Sequence, residues 1–382
     1  MMSSRFPTMD RRALLAGGLA AVATPAMAGN LDAFVTAQMT AAGIPGLAVG
    51  YARDGEVRIA RGYGFADLAS RRRVTADTMF HIASITKPVT ATAILQLAQA
   101  GKLDLDGPVA PHLDFPLANP HHPDAPITVR HLLTHTSGIS DARYYEIDFR
   151  VRGRDADQPL GDLLKGYLVA GGATWSAEGC FSTQAPGAAW DYCNMGYALL
   201  GYLAGRIGGE DLRDQTARTL LAPLAMKHTS WTLSGTPQAL RATPYDMIDG
   251  VRTAIEPVGF PDWPVGMIRA SIADLTAFAA ASANGGQARG ARILPGRAMA
   301  QMLDMQRPAG LPDWLSGQGL GWQASSLDGK PRPNHWGGDP GVFTAAYLDP
   351  ATRSAAVVLT NLTVSDAGKT AVKAIAARLL HA

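Results

Sequence analysis

Apolar and polar positions alternate in two different textures along the chain. Near the start, 47–52 (Leu-Ala-Val-Gly-Tyr-Ala) and 57–62 (Val-Arg-Ile-Ala-Arg-Gly) flank the pair Asp54-Gly55. Asp-Gly between two such runs predicts a β-hairpin. Ahead of it, 31–39 places Leu31, Phe34, Val35 and Met39 at helical spacing. Toward the other end, 320–324, 342–348 and 355–361 read as strands, and 273–284 and 367–380 as helices, the first of these stopped by Gly285-Gly286. Between the ends the texture changes to short helical runs at 129–133, 160–169, 195–207 and 211–221, broken by Pro, Gly and Asp clusters. Segment 141–158, rich in Arg and Asp, reads as an exposed loop.

These elements predict an α+β fold. A mixed or antiparallel sheet is assembled from both chain ends and flanked by helices, with a mainly helical domain inserted. The expected boundaries are 29–105 and 255–382 for the sheet domain and 106–254 for the helical one. A chain of 382 residues can bury a substantial core in this way.

One helical pattern stands apart. It starts at Ser84 and stops before Gly101, and from Val89 to Ala100 its only polar side chains are Thr90, Thr92, Gln96 and Gln99. A helix apolar on nearly every side lies inside a protein. Ser84 and Lys87 are three residues apart at its head, on one face, where the amine can reach the hydroxyl. Serine is a weak nucleophile until a base takes its proton. The helix N-terminus also favours developing negative charge. A helix-capping serine beside a solvated lysine is the plainer alternative. Lysine is scarce, however: seven against 27 arginines.

Charge and composition narrow the setting. Residues 1–28 read as an export signal, with Arg5, Arg11 and Arg12 before an apolar run and Ala26-Met-Ala28 as a cleavage site. Arg11-Arg12 is similar to a twin-arginine signal, with an ordinary secretory signal or an uncleaved anchor as alternatives. The expected location is periplasmic or secreted. Without that segment the chain is near neutral, which excludes a nucleic-acid footprint. No later run is long and apolar enough to span a bilayer. Cys180 and Cys193 allow one disulfide or two buried thiols, and the motif around Cys193 favours thiols.

Two more patterns complete the chemistry. Tyr192-Cys-Asn194 is the only Tyr-x-Asn in the chain, just before a helical run. His335-Trp-Gly337 is the only His-x-Gly, followed by Gly338 and a strand. A Gly-x-Ser-x-Gly elbow is absent, which removes the main support for an α/β-hydrolase.

In this order, Ser84-x-x-Lys87, Tyr192-x-Asn194 and His335-x-Gly337 resemble the serine β-lactamase and penicillin-binding protein superfamily. The fit is closest to the class C-like branch, with its D-alanyl carboxypeptidases, D-aminopeptidases and β-lactamase-like esterases. The stretches 80–87, 101–106, 132–139 and 336–341 also resemble that branch, so the likeness covers nearly the whole chain after the signal.

The resemblance implies that Ser84 attacks a carbonyl and carries the acyl group, with a partly desolvated Lys87 as its base. Tyr192 would pass a proton to the leaving group, its phenolate favoured by a nearby ammonium, and Asn194 would orient Lys87 and the substrate. The backbone N–H groups of Ser84 and Gly338 would form an oxyanion hole, with Trp336 and Gly337 on the substrate-binding strand. No cofactor or metal is implied. The substrate would be a small ester, an amide or a D-amino-acid peptide.

Departures from the family pattern refine this. β-Lactamases of this type carry Lys-Thr-Gly where His335 and Trp336 stand here. A mostly neutral His and a Trp without a hydroxyl grip a carboxylate poorly. The His-x-Gly form resembles peptidases acting on D-residues, and the Trp is similar to the esterases. A class C-like β-lactamase of weak activity and a non-catalytic penicillin- or peptidoglycan-binding protein remain as alternatives. His131 with His135, and His121-His122-Pro-Asp124, read as structural and loop residues rather than zinc ligands. Tyr144, Tyr145, Trp263 and Trp314 fall in loops that could line an acyl pocket, simple packing being the plainer role.

Overall fold

The structure is a computed structural model describing residues 25–381. The expected export signal lies outside the described residues, apart from 25–28 at the start of the first helix, Pro25–Ala41. Strands Gly46–Arg53 and Glu56–Asp67 follow as the expected hairpin. Asp54 and Gly55 have φ of 55° and 79°, both left-handed, as a two-residue turn between twisted strands requires.

These strands belong to an eight-stranded antiparallel sheet. Its order is Leu315–Gln318, Gln323–Leu327, Lys330–Asp339, Val342–Asp349, Ser354–Thr360, Gly46–Arg53, Glu56–Asp67 and Arg72–Arg73. Gly46–Arg53 pairs with its hairpin partner on one side and with Ser354–Thr360 on the other, so the two chain ends meet inside the sheet. The α+β class holds.

Strand alternation sorts the side chains into two layers. Leu47, Val49, Tyr51, Ala345, Tyr347 and Val358 pack on one face, beneath Pro25–Ala41 and Asp366–Leu380. Ala48, Ala52, Ala346, Leu348, Val357 and Leu359 pack on the other, where Ile272–Ala283 and Thr86–Gln99 lie. Ser354–Thr360 is buried along its whole length. Covered on both faces, it can be continuously apolar rather than alternating. Among the described residues no helix is long and apolar enough to cross a membrane.

Two expectations shift. The strand expected at 320–324 forms instead at Gln323–Leu327. Gly321 takes φ 93° where a Cβ would stand 2.6 Å from Ala91 Cβ, so this stretch is a tight turn against the central helix. The helix expected from Ser84 begins at Thr86, after a 3-10 turn at Ala83–Ile85.

That turn is locked to the sheet. A Cβ on Gly337 would lie 2.1 Å from Ile82 O and 2.4 Å from Thr344 Oγ1, and Thr344 Oγ1 donates to Ile82 O at 3.0 Å. Replacing Gly337 by Ala should therefore push strand and turn apart and destabilise the fold by about 1–3 kcal/mol. Urea unfolding measures this, and an unchanged midpoint would contradict the close approach.

Candidate active site

Ser84 sits in the 3-10 turn after the short strand Met79–His81. The residue before it, Ala83, has φ 45°, a left-handed conformation unfavourable for a residue with a Cβ. The next turn brings in Lys87, which is 0% exposed. Its Nζ contacts Ser84 Oγ at 3.1 Å, Asn194 Oδ1 at 2.7 Å and Val265 O at 3.1 Å. Burial lowers the Lys87 pKa to about 7, although Asp141, Asp262 and Cys193 nearby pull it upward.

Asn194 opens the helix Asn194–Gly208. Its side-chain amide is oriented at both ends: Oδ1 accepts from Lys87, and Nδ2 donates to Tyr145 Oη at 3.3 Å. Below it, the Asp141 carboxylate accepts from the backbone N–H of Asn194 at 2.6 Å and of Met195 at 3.1 Å. A carboxylate on the free N–H groups of a helix start satisfies orphan donors and complements the dipole. Cys193 completes the cap, its Sγ accepting from Gly196 N at 3.2 Å and donating to Asp141 Oδ1 at 3.3 Å. Cys180 and Cys193 are both buried free thiols.

Tyr192 stands beside this pair, its ring centroid 4.9 Å from Lys87 Nζ and 4.5 Å from the His135 ring. Burial pushes its phenol well above the usual range, while a hydrogen bond with Ser84 acts in the opposite sense. Burial thus favours the neutral phenol over the expected ammonium-favoured phenolate, and the lysine lies over the ring face.

The strand Lys330–Asp339 supplies the other wall. Its neighbour Gln323–Leu327 pairs with it only as far as Asn334, so along that edge residues 335–339 are bare. His335 is buried; its Nδ1 donates to Trp336 O at 2.8 Å, and its Nε2 has no partner among the described residues. Burial, then the nearby Lys87, hold its pKa at about 3, so the ring is neutral. A Cβ on Gly338 would meet open space.

Trp336 corrects the expectation placed on it. Its side chain points to the opposite sheet face from His335 and Gly337, where it stacks on Trp314 at 5.6 Å and donates Nε1–H to Tyr347 Oη at 2.8 Å. Period-two alternation forces this once His335 faces the site. Trp314 and Trp263 also lie elsewhere, whereas Tyr144 and Tyr145 do line the site. His131 Nδ1 accepts from Thr128 N, and His135 Nδ1 from Cys193 N, so both histidines serve local structure.

A cavity of about 420 Å³ opens above Ser84, Tyr192, Asn194 and Gly338. Segment 141–158, expected to be an exposed loop, forms much of its wall through residues 144–150. Here tertiary burial overrides local composition: Asp141 is 3% exposed despite its polar surroundings. Sequence reasoning missed Asp141, Asp262 and the Val265 carbonyl, and it gave Tyr145 a pocket role without its bond to Asn194. The one signal for Asp141 is its position two residues after the Leu132–Ile139 stretch that resembles the family. A backbone carbonyl has no sequence signal.

An eight-stranded antiparallel sheet with a helical insertion and a Ser–Lys pair heading its central helix is the architecture of β-lactamases and penicillin-binding proteins. The chain belongs to the beta-lactamase family, whose profile matches residues 31–380. Penicillin-binding protein 4 of Amycolatopsis lactamdurans is 30% identical over 339 residues, 83% of this chain and 81% of that protein. Protein flp of Staphylococcus aureus (strain MW2) is 28% identical over 202 residues, 53% of this chain but only 38% of its own length. Among solved structures, a D-amino acid amidase from Ochrobactrum anthropi superposes with TM-score 0.71 at 24% identity, covering 92% of this chain and 98% of that one. A class C beta-lactamase gives 0.72 at 22%, covering 94% and 96%. These structures share the fold, and the family is one of hydrolases.

Removing the Asp141 carboxylate tests the architecture under Asn194. Asp141→Ala leaves two buried N–H groups unpaired and should destabilise the protein by about 2–4 kcal/mol. Urea denaturation reads the loss; an effect below about 0.5 kcal/mol would mean that the cap does not hold the helix start.

Proposed function

We propose that the protein is an exported serine hydrolase that cleaves esters or amides through an acyl-enzyme on Ser84. One observation carries this reading: the bonding of the Lys87 amine. A neutral amine has two N–H donors and one lone pair. Asn194 Oδ1 and Val265 O are acceptors and take both donors, which turns the lone pair toward the Ser84 hydroxyl. With a pKa of about 7, the amine is in that basic form through much of the neutral range.

Ser84 Oγ adds to the substrate carbonyl while its proton passes to Lys87. The N–H groups of Ser84 and Gly338 receive the oxyanion, each worth about 3 kcal/mol of barrier. The neutral phenol of Tyr192 protonates the leaving group as the C–O or C–N bond breaks, and regains a proton from Lys87. Water then releases the acid by the reverse sequence. His335 contributes no exposed acceptor to the cavity: its Nε2 is buried and, among the described residues, has no hydrogen-bond partner.

β-Lactams fit less well. Their carboxylate needs a cation and a hydroxyl from this strand, and it offers a neutral imidazole and a Trp turned to the far face. Esters and amides without such an anion are the better substrates.

Fluorophosphonate should label the protein at Ser84, and p-nitrophenyl butyrate should be hydrolysed, with both abolished in Ser84→Ala. A Ser84→Ala protein that hydrolyses the ester like the parent would sink the reading. The same assay carries a pH test. Because the base must be neutral, kcat/KM should rise from acid toward a plateau with a midpoint near the Lys87 pKa of about 7. Lys87→Arg, whose guanidinium stays charged, should lose about 10³-fold or more at every pH. A flat profile, or an active arginine variant, would assign the base to another group.

A further inference from the structure

We propose that Asp339 makes this a site for substrates carrying a protonated amine close to the scissile carbonyl, namely amino-acid esters and amides with a free α-amino group. The inference rests on the Ser84 hydrolase reading and adds a substrate class to it.

Asp339 directly follows Gly338 and lines the same cavity as Ser84. Among the described residues, Glu146, Asp148 and Asp339 line that cavity with one cation, Arg150. Glu146 is occupied by Arg143, whose Nη1 donates to it at 2.7 Å. Arg150 gives its Nε–H to Asp148 at 2.7 Å and reaches Asp339 Oδ1 only at 3.5 Å, beyond a good hydrogen bond.

The other groups near Asp339 do not neutralise it by contact. His81 Nδ1 is 4.0 Å from Oδ2, and burial holds that imidazole neutral, with a pKa of about 3. Arg269 gives one Nη1 and one Nη2 hydrogen to Met267 O and Val258 O and acts on Asp339 through charge, not through a hydrogen bond. Asp262 lies within electrostatic reach and adds like charge. Burial raises the Asp339 carboxyl to about 6, so above that pH it is an anion with room for a better donor than Arg150.

An ammonium supplies that donor. A free α-amino group sits one carbon from the carbonyl that Ser84 attacks, and Asp339 sits one residue from the backbone proposed to hold the oxyanion. Tyr144, Tyr145, Phe149 and Phe260 offer the cavity an aromatic wall for the amino-acid side chain. A substrate carboxylate in the same place would meet the like charge of Asp339, which agrees with the poor fit of β-lactams.

The test uses matched pairs: alanine p-nitroanilide and its N-acetyl derivative, each as D and L enantiomers, with the full protein at pH 7.5. The parent should favour the free amine by about tenfold or more in kcat/KM for at least one enantiomer, the discrimination of one part-buried ion pair. In Asp339→Asn that ratio should fall to within about twofold of unity. In Arg150→Gln it should rise, because the carboxylate loses its competing cation. A carboxylate that merely anchors the 144–150 wall through Arg150 would instead lower the ratio in both variants, which would overturn the proposal. So would a parent without preference, or an Asp339→Asn protein that keeps it. Labelling of Ser84 by fluorophosphonate without turnover of either free-amine substrate sinks this inference and leaves the hydrolase reading standing. If Ser84 is neither labelled nor required for any turnover, the hydrolase reading itself fails.

Discussion

The structure depends on keeping one amine dry. Lys87 is sealed between the turn Ala83–Ile85, the start of Asn194–Gly208 and the turn Trp263–Val265, and each contributes one atom to its Nζ. Neither of the carboxylates nearest in charge, Asp141 and Asp262, is hydrogen-bonded to it. Asp141 faces backbone N–H groups, and Asp262 accepts from Tyr144 Oη at 2.9 Å. Burial therefore wins over both, and the pKa falls from 10.5 to about 7. Protonating Lys87 in the fold is then about 5 kcal/mol less favourable than in water. A direct ion pair would remove most of that difference and with it the neutral amine that the hydrolase reading requires.

Local spacing makes part of this legible in the sequence. Ser84, Lys87, Tyr192 and Asn194 lie in short motifs whose separations place them on helix starts, and the fold brings all four together. The paired chain ends are equally readable, because an Asp-Gly turn and a continuous apolar run at 355–359 carry their own signals. The partners that tune the amine are not. Val265 acts through its carbonyl, which no side-chain pattern records. Asp141 sits in a stretch whose composition suits a solvated loop, and only contact with a helix start 53 residues later buries it.

Trp336 shows a different limit. A motif read as a unit assigns all its side chains to the site, but a strand sends neighbours to opposite faces. With Gly337 pressed against Ile82 O, His335 shares its face and Trp336 must join the layer with Trp314 and Tyr347. The bare end of this strand therefore lines the cavity with Gly338 and Asp339, while the neutral His335 is buried. That is why the third motif, which identifies the family, says so little here about what the site prefers.

The same buried amine fixes how the site and the fold share the pH scale. Lys87 has a folded pKa below its unfolded value, so between about 7 and 10.5 the unfolded chain binds a proton that the folded one does not. Stability associated with this residue therefore rises with pH across that window and is at its lowest below about 7. The hydrolase reading asks for the same end of that equilibrium, a neutral amine, so the condition that favours the base also favours the fold. Asp262, raised to about 6 by burial, works against this, since its ionisation weakens the fold as pH rises toward that value. Between those two titrations Asp262 is charged while Lys87 remains partly protonated, and their attraction offsets part of what each loses by leaving water. The site is thus balanced near neutrality by two opposed desolvation penalties rather than by a salt bridge.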